Sequence, residues 1–171
     1  MKTATNIIVS LGIFSTCTLF ASQALAEGGK IAGAADLTYA KQEASLAPSA
    51  DGHMLVFGEL TGTNKNTDGS GYMSDADVAN REIGQLFQGN GPHSGYYTMS
   101  KDGNTTTALW KGDVTTVLAE DGSPRTSFKG TWEYVAGTGK YSGIKGKGKY
   151  SGYFTSKTTY HVDWNGEYSA K

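Results

Sequence analysis

Cysteine and proline are scarce in this chain of 171 residues, which contains one cysteine and three prolines. The cysteine, Cys17, lies in an N-terminal apolar run, so residues 27–171 contain no thiol for a disulfide, a metal site or a nucleophile. The low proline content argues against a disordered proline-rich stalk. Residues 27–171 must therefore be stabilised by a hydrophobic core.

An excess of either charge is also missing, since 15 basic and 16 acidic residues give a formal net charge of −1. A near-neutral chain is a poor general polyanion binder, so we expect no nucleic-acid partner. The catalytic patterns G-x-S-x-G and H-E-x-x-H are absent. The histidines His53, His93 and His161 lack close metal-ligand spacing. The sequence therefore predicts no cofactor and no histidine metal site.

A long apolar run occurs once, at the N-terminus. It begins after Lys2, carries no charge over residues 6–25, and ends in a small-x-small pattern at Ala26. This pattern predicts a signal peptide over residues 1–26 and a periplasmic or secreted protein. A membrane anchor is the alternative, but polar residues interrupt the run. We expect one domain over residues 27–171, with no stable membrane insertion after cleavage.

Alternation of apolar and polar residues with period two dominates the rest of the chain. The clearest examples are residues 128–134 and 160–168, which have one apolar and one polar face, as antiparallel strands do. Further predicted strands cover 36–46, 53–62, 82–88, 94–100, 105–118 and 149–156. Turn-forming residues separate them, so we predict an all-β, roughly eight-stranded closed antiparallel barrel, with a sandwich as the alternative.

The glycine-rich segment 137–154, GTGKYSGIKGKGKYSGYF, allows three interpretations. A phosphate-binding loop must begin a helix, which the glycines of residues 144–149 disfavour. The second interpretation is a nucleic-acid-binding surface, because the lysines and tyrosines of the segment interleave as such a surface requires. The favoured interpretation is structural: the glycines make a tight turn, Tyr141 packs inward, and the following strand bends sharply with its lysines in solvent.

The segment GTWEYVAGTGKYSGIKGKGKYSG, residues 130–152, resembles the hallmark of allene oxide cyclase-like and dirigent-like barrels. HSGYYTMSKDGNTTTALWKG, residues 93–112, is similar to the preceding hairpin of that family. The resemblance covers roughly residues 93–156 and implies an exported bacterial member with an eight-stranded barrel and a central cavity. It implies no single activity, because the plant cyclases isomerise a fatty-acid epoxide whereas dirigent proteins steer radical coupling.

Aromatic residues on the predicted inward faces are candidates for the wall of a ligand pocket. They are Tyr97, Trp110, Trp132, Tyr134, Tyr160 and Trp164. The sequence thus favours a barrel that binds a small apolar or aromatic molecule, or a partner surface. The alternative for these rings is core filling, because small barrels often pack their interior with side chains. Nothing in the sequence indicates the oligomeric state.

The rival function is a cofactor-free cyclase or isomerase with Glu59 as its catalytic carboxylate. Leu55, Phe57 and Glu59 share one face of a predicted strand. If that face lines a cavity, desolvation raises the carboxyl pKa and suits it to proton transfer. If the face is external, Met54, Val56 and Leu60 belong to the core and Glu59 is solvated.

Residues 64–75 have the oxygen spacing of a calcium loop. Asn64, Asn66, Asp68 and Asp75 occupy loop positions one, three, five and twelve. No helix is predicted on either side, and a polar loop over the barrel mouth is the alternative. Calcium at this loop is the one metal site that the sequence suggests, against a default of no metal.

Overall fold

The computed structural model describes residues 27–47 and 52–171. The predicted signal peptide, residues 1–26, lies outside the described residues. The strands are β1 (Glu27–Leu46), β2 (His53–Asn66), β3 (Asp77–Phe87), β4 (Gly91–Lys101), β5 (Asn104–Leu118), β6 (Pro124–Thr138), β7 (Lys145–Phe154) and β8 (Thr159–Ala170). A short 3-10 turn, Gly139–Tyr141, joins β6 to β7. The all-β prediction is confirmed.

Each strand pairs with the next in antiparallel fashion, and β8 pairs with β1 to close the barrel. Closure leaves no strand edge unpaired. The predicted closed antiparallel barrel is therefore confirmed. Within the described residues, no helix has the length and apolar character needed to cross a membrane.

Side chains alternate between the interior and solvent along each strand. In β8, Tyr160, Val162 and Trp164 are buried, whereas Asp163 and Asn165 are exposed. This is the period-two burial expected when one face of a sheet covers a core. The same alternation in the other strands collects most of the aromatic residues inside the barrel.

The glycines of β7 and β8 make room for the inward rings of the neighbouring strands. A Cβ added at Gly148 would overlap the backbone oxygen of Asn165 and lie 2.6 Å from the Trp132 ring. A Cβ at Gly166 would lie 2.6 Å from the same ring. The structural interpretation of the glycine-rich segment is confirmed, and the lysines of β7, such as Lys147, face solvent.

One end of the barrel is closed by aromatic side chains from two connections. Tyr141, from the 3-10 turn, is 2% exposed, and Tyr72, from the β2–β3 connection, is 4% exposed. Their ring centroids lie 5.3 Å apart. Gly139 and Gly143, with φ of 61° and 72°, supply the left-handed backbone that brings Tyr141 inward.

Candidate ligand-binding cavity

The barrel encloses a cavity of about 250 Å³ lined by side chains from all eight strands. The six aromatic residues predicted to wall a pocket all line it: Tyr97, Trp110, Trp132, Tyr134, Tyr160 and Trp164. These rings do not fill the interior completely, because a void remains between them. Ligand binding by these residues stays a prediction.

The aromatic wall is held in place by edge-to-face contacts and hydrogen bonds. Trp132 and Trp164 meet at a centroid distance of 6.2 Å, and Trp110 and Tyr150 at 5.5 Å. Each indole N–H donates to a protein oxygen: Trp110 to Asn80 Oδ1 (2.9 Å), Trp132 to the Lys149 carbonyl (3.2 Å) and Trp164 to Asn64 Oδ1 (3.0 Å). The wall is therefore preorganised rather than loosely packed.

The cavity extends away from the closed end, toward the turns that join β3 to β4 and β5 to β6. Gly89, Thr116 and Thr126 line it there. Large apolar side chains are exposed at the strand ends on this side: Leu46, Met54, Phe87, Val117 and Leu118. Exposed apolar side chains that cluster at one end of a barrel are typical of a surface that meets an apolar ligand or partner.

A carboxylate, Glu82, lies in the cavity wall at the centre of a polar cluster. Tyr39 donates its hydroxyl to Glu82 Oε1, and Asn80 Nδ2 lies 3.3 Å from Glu82 Oε2. The Tyr160 hydroxyl lies 3.5 Å from Glu82 Oε2 and accepts a 2.9 Å hydrogen bond from Asn80. β1, β3 and β8 thus bring three polar side chains to one carboxylate.

Burial raises the pKa of Glu82, and hydrogen bonds from Tyr39, Tyr160 and Asn80 partly offset this effect. Burial, together with the neighbouring Glu82 charge, raises the pKa of Tyr39. Carboxyls desolvated beside specific partners in a cleft are frequent in functional sites. The cavity therefore contains a group that can accept a hydrogen bond, pair with a cation or exchange a proton.

The hydroxyl group of Tyr97 is a buried polar group of the barrel interior. Its oxygen is buried and has no hydrogen-bond partner among the residues that the structure describes. The ring belongs to the cavity wall. A buried hydroxyl without a partner is destabilising by about 1–3 kcal/mol. A ligand that supplies an acceptor near Tyr97 would recover part of that free energy.

The histidines His93 and His161 lie in different environments, one inside the barrel and one on its outer surface. His93 Nε2 lies 3.1 Å from the Tyr150 hydroxyl inside the barrel, and burial lowers the pKa of His93 to about 4. On the outer surface, the hydrogen bond to Asp36 raises the pKa of His161. Residues 27–47 and 52–171 contain no group of three or more His, Cys, Asp or Glu that could hold a metal ion.

Glu59 lies on the outer face of β2 and does not line the cavity. Its neighbours Gly58 and Leu60 are buried, and its Oε2 lies 3.8 Å from Arg81 Nε, with the side chain 40% exposed. The structure thus has the arrangement in which Val56 and Leu60 belong to the interior and Glu59 meets solvent. Met54, expected in the core with them, is 38% exposed at the open end of the barrel. The carboxylate within the cavity is Glu82.

The calcium-loop residues already use their oxygens within the protein. Asn64 is fully buried; its Oδ1 accepts from the Trp164 indole N–H (3.0 Å), and its Nδ2 donates to the Met73 carbonyl (2.9 Å). Asp68 accepts from the backbone N–H groups of Ser70 (2.9 Å) and Ala32 (2.7 Å), and hydrogen bonds from Ser70 hold the pKa of Asp68 well below its usual range. The Asn66 Oδ1 accepts from the Gly71 N–H (3.0 Å), and Asp75 pairs with Lys65 at 2.5 Å.

Asn64→Asp distinguishes the calcium role from the structural one. A calcium loop would gain metal affinity from the added carboxylate. In this structure the change removes the donor to Met73 and buries a charge, so we expect the free energy of unfolding to fall by about 2 kcal/mol or more. Chemical denaturation with and without about 5 mM calcium measures the free energy of unfolding. This concentration exceeds the dissociation constants of the weakest calcium loops, which are roughly 1 mM. Stabilisation of the variant by calcium would contradict the structural role.

Lys147 of the glycine-rich segment faces solvent between two acidic residues. Lys147 pairs in register with Glu133 of β6 and Glu167 of β8. Opposite charges on adjacent strands reduce the local positive potential. The absence of a nucleic-acid partner stays a prediction.

Comparison with known proteins gives information on the fold. No protein-family model and no curated protein sequence matches the chain. Among solved structures, the pterocarpan synthase dirigent protein GePTS1 matches with a TM-score of 0.51 and 12% identity, over 85% of this chain and 86% of that chain. The chain has a dirigent-like barrel fold. At this identity the likeness shows the fold alone, so the chemistry of this dirigent-like barrel rests on its own residues.

Several cavity residues were not assigned from the sequence, among them Asn80, Glu82, His93 and Tyr150. For Asn80 and Glu82 the signal is the alternation along β3, where Val78, Asn80, Glu82 and Leu86 share one face. Because Asn80 and Glu82 are polar, this face does not show the continuous apolar pattern of an inward strand face.

Proposed function

We propose that the barrel binds a small, mainly apolar, ring-bearing molecule in its interior cavity. The observation that carries the proposal is the aromatic-walled cavity of about 250 Å³, closed at one end and extended toward an apolar rim at the other. Burying apolar ligand surface there is favourable by about 25 cal/mol per Å². The same fold serves a pterocarpan synthase, which supports a small-molecule role.

The polar groups of the cavity support a site that orients its ligand. Glu82 and the hydroxyl of Tyr97 are placed among apolar walls, which is the usual composition of a small-molecule site. Apolar walls supply affinity, and a few fixed polar groups select one orientation.

Calorimetric titration with 2-naphthol, a neutral ring-bearing probe, tests the proposal. We expect a Kd on the order of 10 µM, or about 7 kcal/mol. Gly84 lines the cavity, and the nearest heavy atom to a Cβ added there is Leu86 Cγ at 3.5 Å. Gly84→Leu should therefore fill the cavity without a backbone clash and reduce the affinity at least about tenfold, equal to 1.4 kcal/mol.

The matched control is Gln85→Leu, which adds an apolar side chain at the next residue but on the exposed face of the same strand. This variant should bind 2-naphthol as the wild type does. Equal binding by the Gly84→Leu variant would place the probe outside the cavity and contradict the proposal. A loss of binding in both variants would do the same.

The second candidate function is acid–base catalysis on the bound molecule, favoured by the buried carboxyl of Glu82. Its pKa is raised by burial, and Tyr39 and Asn80 hold its oxygens. A general acid or base near the working pH suits a cofactor-free isomerisation. Incubation with a small-molecule extract should then convert one compound to an isomer of equal mass, and Glu82→Gln should abolish the conversion. Retention of the conversion in that variant would exclude this role.

A further inference from the structure

The cavity wall contains an acidic side chain, Glu82, and no lysine or arginine among the described residues 27–47 and 52–171. His93, which also lines it, is neutral at pH 7 because burial lowers its pKa to about 4. The cavity therefore presents a carboxylate without a protein cation, which disfavours a negatively charged ligand.

Aromatic rings stand beside this carboxylate. Tyr39 donates to Glu82, and the Tyr160 hydroxyl lies 3.5 Å from it. The ring of Phe154 lies 6.5 Å from that of Tyr39 and 5.5 Å from that of Tyr160. All three rings line the cavity together with Glu82. The faces of such rings attract a cation, and the attraction grows when water is excluded.

The hydrogen bonds of Glu82 come from neutral donors. Tyr39, Asn80 and Tyr160 are polar but uncharged, and no ion pair to Glu82 is present within the described part of the chain. A buried carboxylate that lacks a counter-ion is unfavourable. A ligand that brings a positive charge would offset this desolvation, whereas a neutral ligand would leave it unchanged.

We propose that the ligand of this cavity is an organic cation whose ammonium group is held between Glu82 and the rings of Tyr39, Phe154 and Tyr160. This inference rests on the proposed function, because it names the chemical class of the molecule that the same cavity takes. The apolar part of the ligand extends along the tryptophan wall. The carboxylate and the aromatic faces select the positive charge.

The affinity for a permanent cation should depend on pH through Glu82. The titratable groups that line the cavity with Glu82 are Tyr39, His93, Tyr97, Tyr134, Tyr150 and Tyr160. Burial raises the pKa of each of these tyrosines, so all of them stay neutral at pH 8 and below. A cation is attracted by ionised Glu82 and loses this attraction as the pH falls through the raised pKa of that carboxyl.

The test compares benzyltrimethylammonium with neopentylbenzene, its uncharged carbon isostere. In the wild type at pH 8 we expect the cation to bind at least about tenfold more tightly than the isostere. Glu82→Gln should weaken cation binding at least about tenfold, and it should reduce the preference for the cation over the isostere by a similar factor. The control is Glu59→Gln, which removes a carboxylate from the outer face of the adjacent strand and should change neither affinity.

The outcomes separate this inference from the proposed function. Equal affinities for the two probes would overturn the cation inference while leaving small-molecule binding intact. Failure of both probes and of 2-naphthol would overturn the proposed function itself. Equal loss of cation binding in the Glu59 and Glu82 variants would place the cation on the outer surface and overturn the assigned site.

A pH series on the wild type keeps the test independent of the folding of the Glu82 variant. Cation affinity should fall at least about tenfold on acidification, and isostere affinity should stay constant. A cation affinity that does not change with pH would contradict the role of Glu82.

Discussion

Gly148→Ala should lower the free energy of unfolding by about 3 kcal/mol, at the upper end of the usual range for overpacking. The added methyl group would overlap the backbone oxygen of Asn165 and approach the Trp132 ring to 2.6 Å. Backbone on the paired strand cannot move aside without breaking the β7–β8 ladder. Urea denaturation followed by tryptophan fluorescence measures the change.

The matched control for this prediction is Gly84→Ala, also an inward glycine within a strand. A Cβ there meets its nearest heavy atom at 3.5 Å, an ordinary van der Waals contact. We expect a change within about 1 kcal/mol for this variant, since a Gly-to-Ala change that fits is mild. Similar losses of unfolding free energy in the two variants would mean that the close approach of Asn165 and the Trp132 ring is not what makes Gly148 necessary.

Tyr141→Ala should also be strongly destabilising, by about 4 kcal/mol, as for other large aromatic truncations in a core. Tyr141 is 2% exposed and contacts the ring of Tyr72 at 5.3 Å. Its loss leaves a void at the closed end of the barrel. Thermal unfolding monitored by circular dichroism measures the effect.

Tyr96→Ala provides the control for the loss of a tyrosine ring. Tyr96 lies on the outer face of β4 and is 53% exposed. This variant should change the free energy of unfolding by about 0.5 kcal/mol or less, as surface substitutions usually do. An equally mild effect of Tyr141→Ala would show that the 3-10 turn does not close the barrel.

Alternation with period two predicts the strands of the barrel, because most of them have one apolar and one polar face. In β8, Tyr160, Val162 and Trp164 alternate with charged or polar residues, so the inward face is unambiguous. Turn-forming residues then set short connections between neighbouring strands. Closure of β8 onto β1 followed from the strand number and the glycine-turn resemblance.

The identity of the cavity carboxylate could not be predicted with the same argument, because β2 is apolar on both faces. Leu55 and Phe57 alternate with Met54 and Val56, so hydrophobicity alone does not determine which set is inside. Phe57 is outside, where Lys41 covers its ring at 5.9 Å.

In β3 the difficulty is reversed. Its inward face carries Asn80, Glu82 and Gly84, residue types that are usually solvated or found in turns. They are stabilised inside by partners from β1, β5 and β8, such as Tyr39, whose hydroxyl bonds Glu82, and Trp110, whose indole bonds Asn80. Such long-range partners are not encoded in the local pattern.

The calcium-like spacing of residues 64–75 illustrates a similar ambiguity. Oxygen-bearing side chains at these intervals can bind a metal ion, but they can also form Asx turns or hydrogen bonds to the backbone at the ends of strands. Asn64 is committed to Met73 and Trp164, and Asp68 to the backbone of Ser70 and Ala32. Spacing identifies the oxygens, whereas the fold determines what they bind.

The most direct test of a ligand-binding cavity follows the three tryptophan indole N–H signals by NMR. Trp110, Trp132 and Trp164 are the tryptophans of this chain, and all of them line the cavity. Titration with 2-naphthol should shift all three signals in the wild type, and Gly84→Leu should suppress the shifts. Shifts confined to outer-face residues such as Tyr96, with the three indole signals unmoved, would contradict an interior binding site.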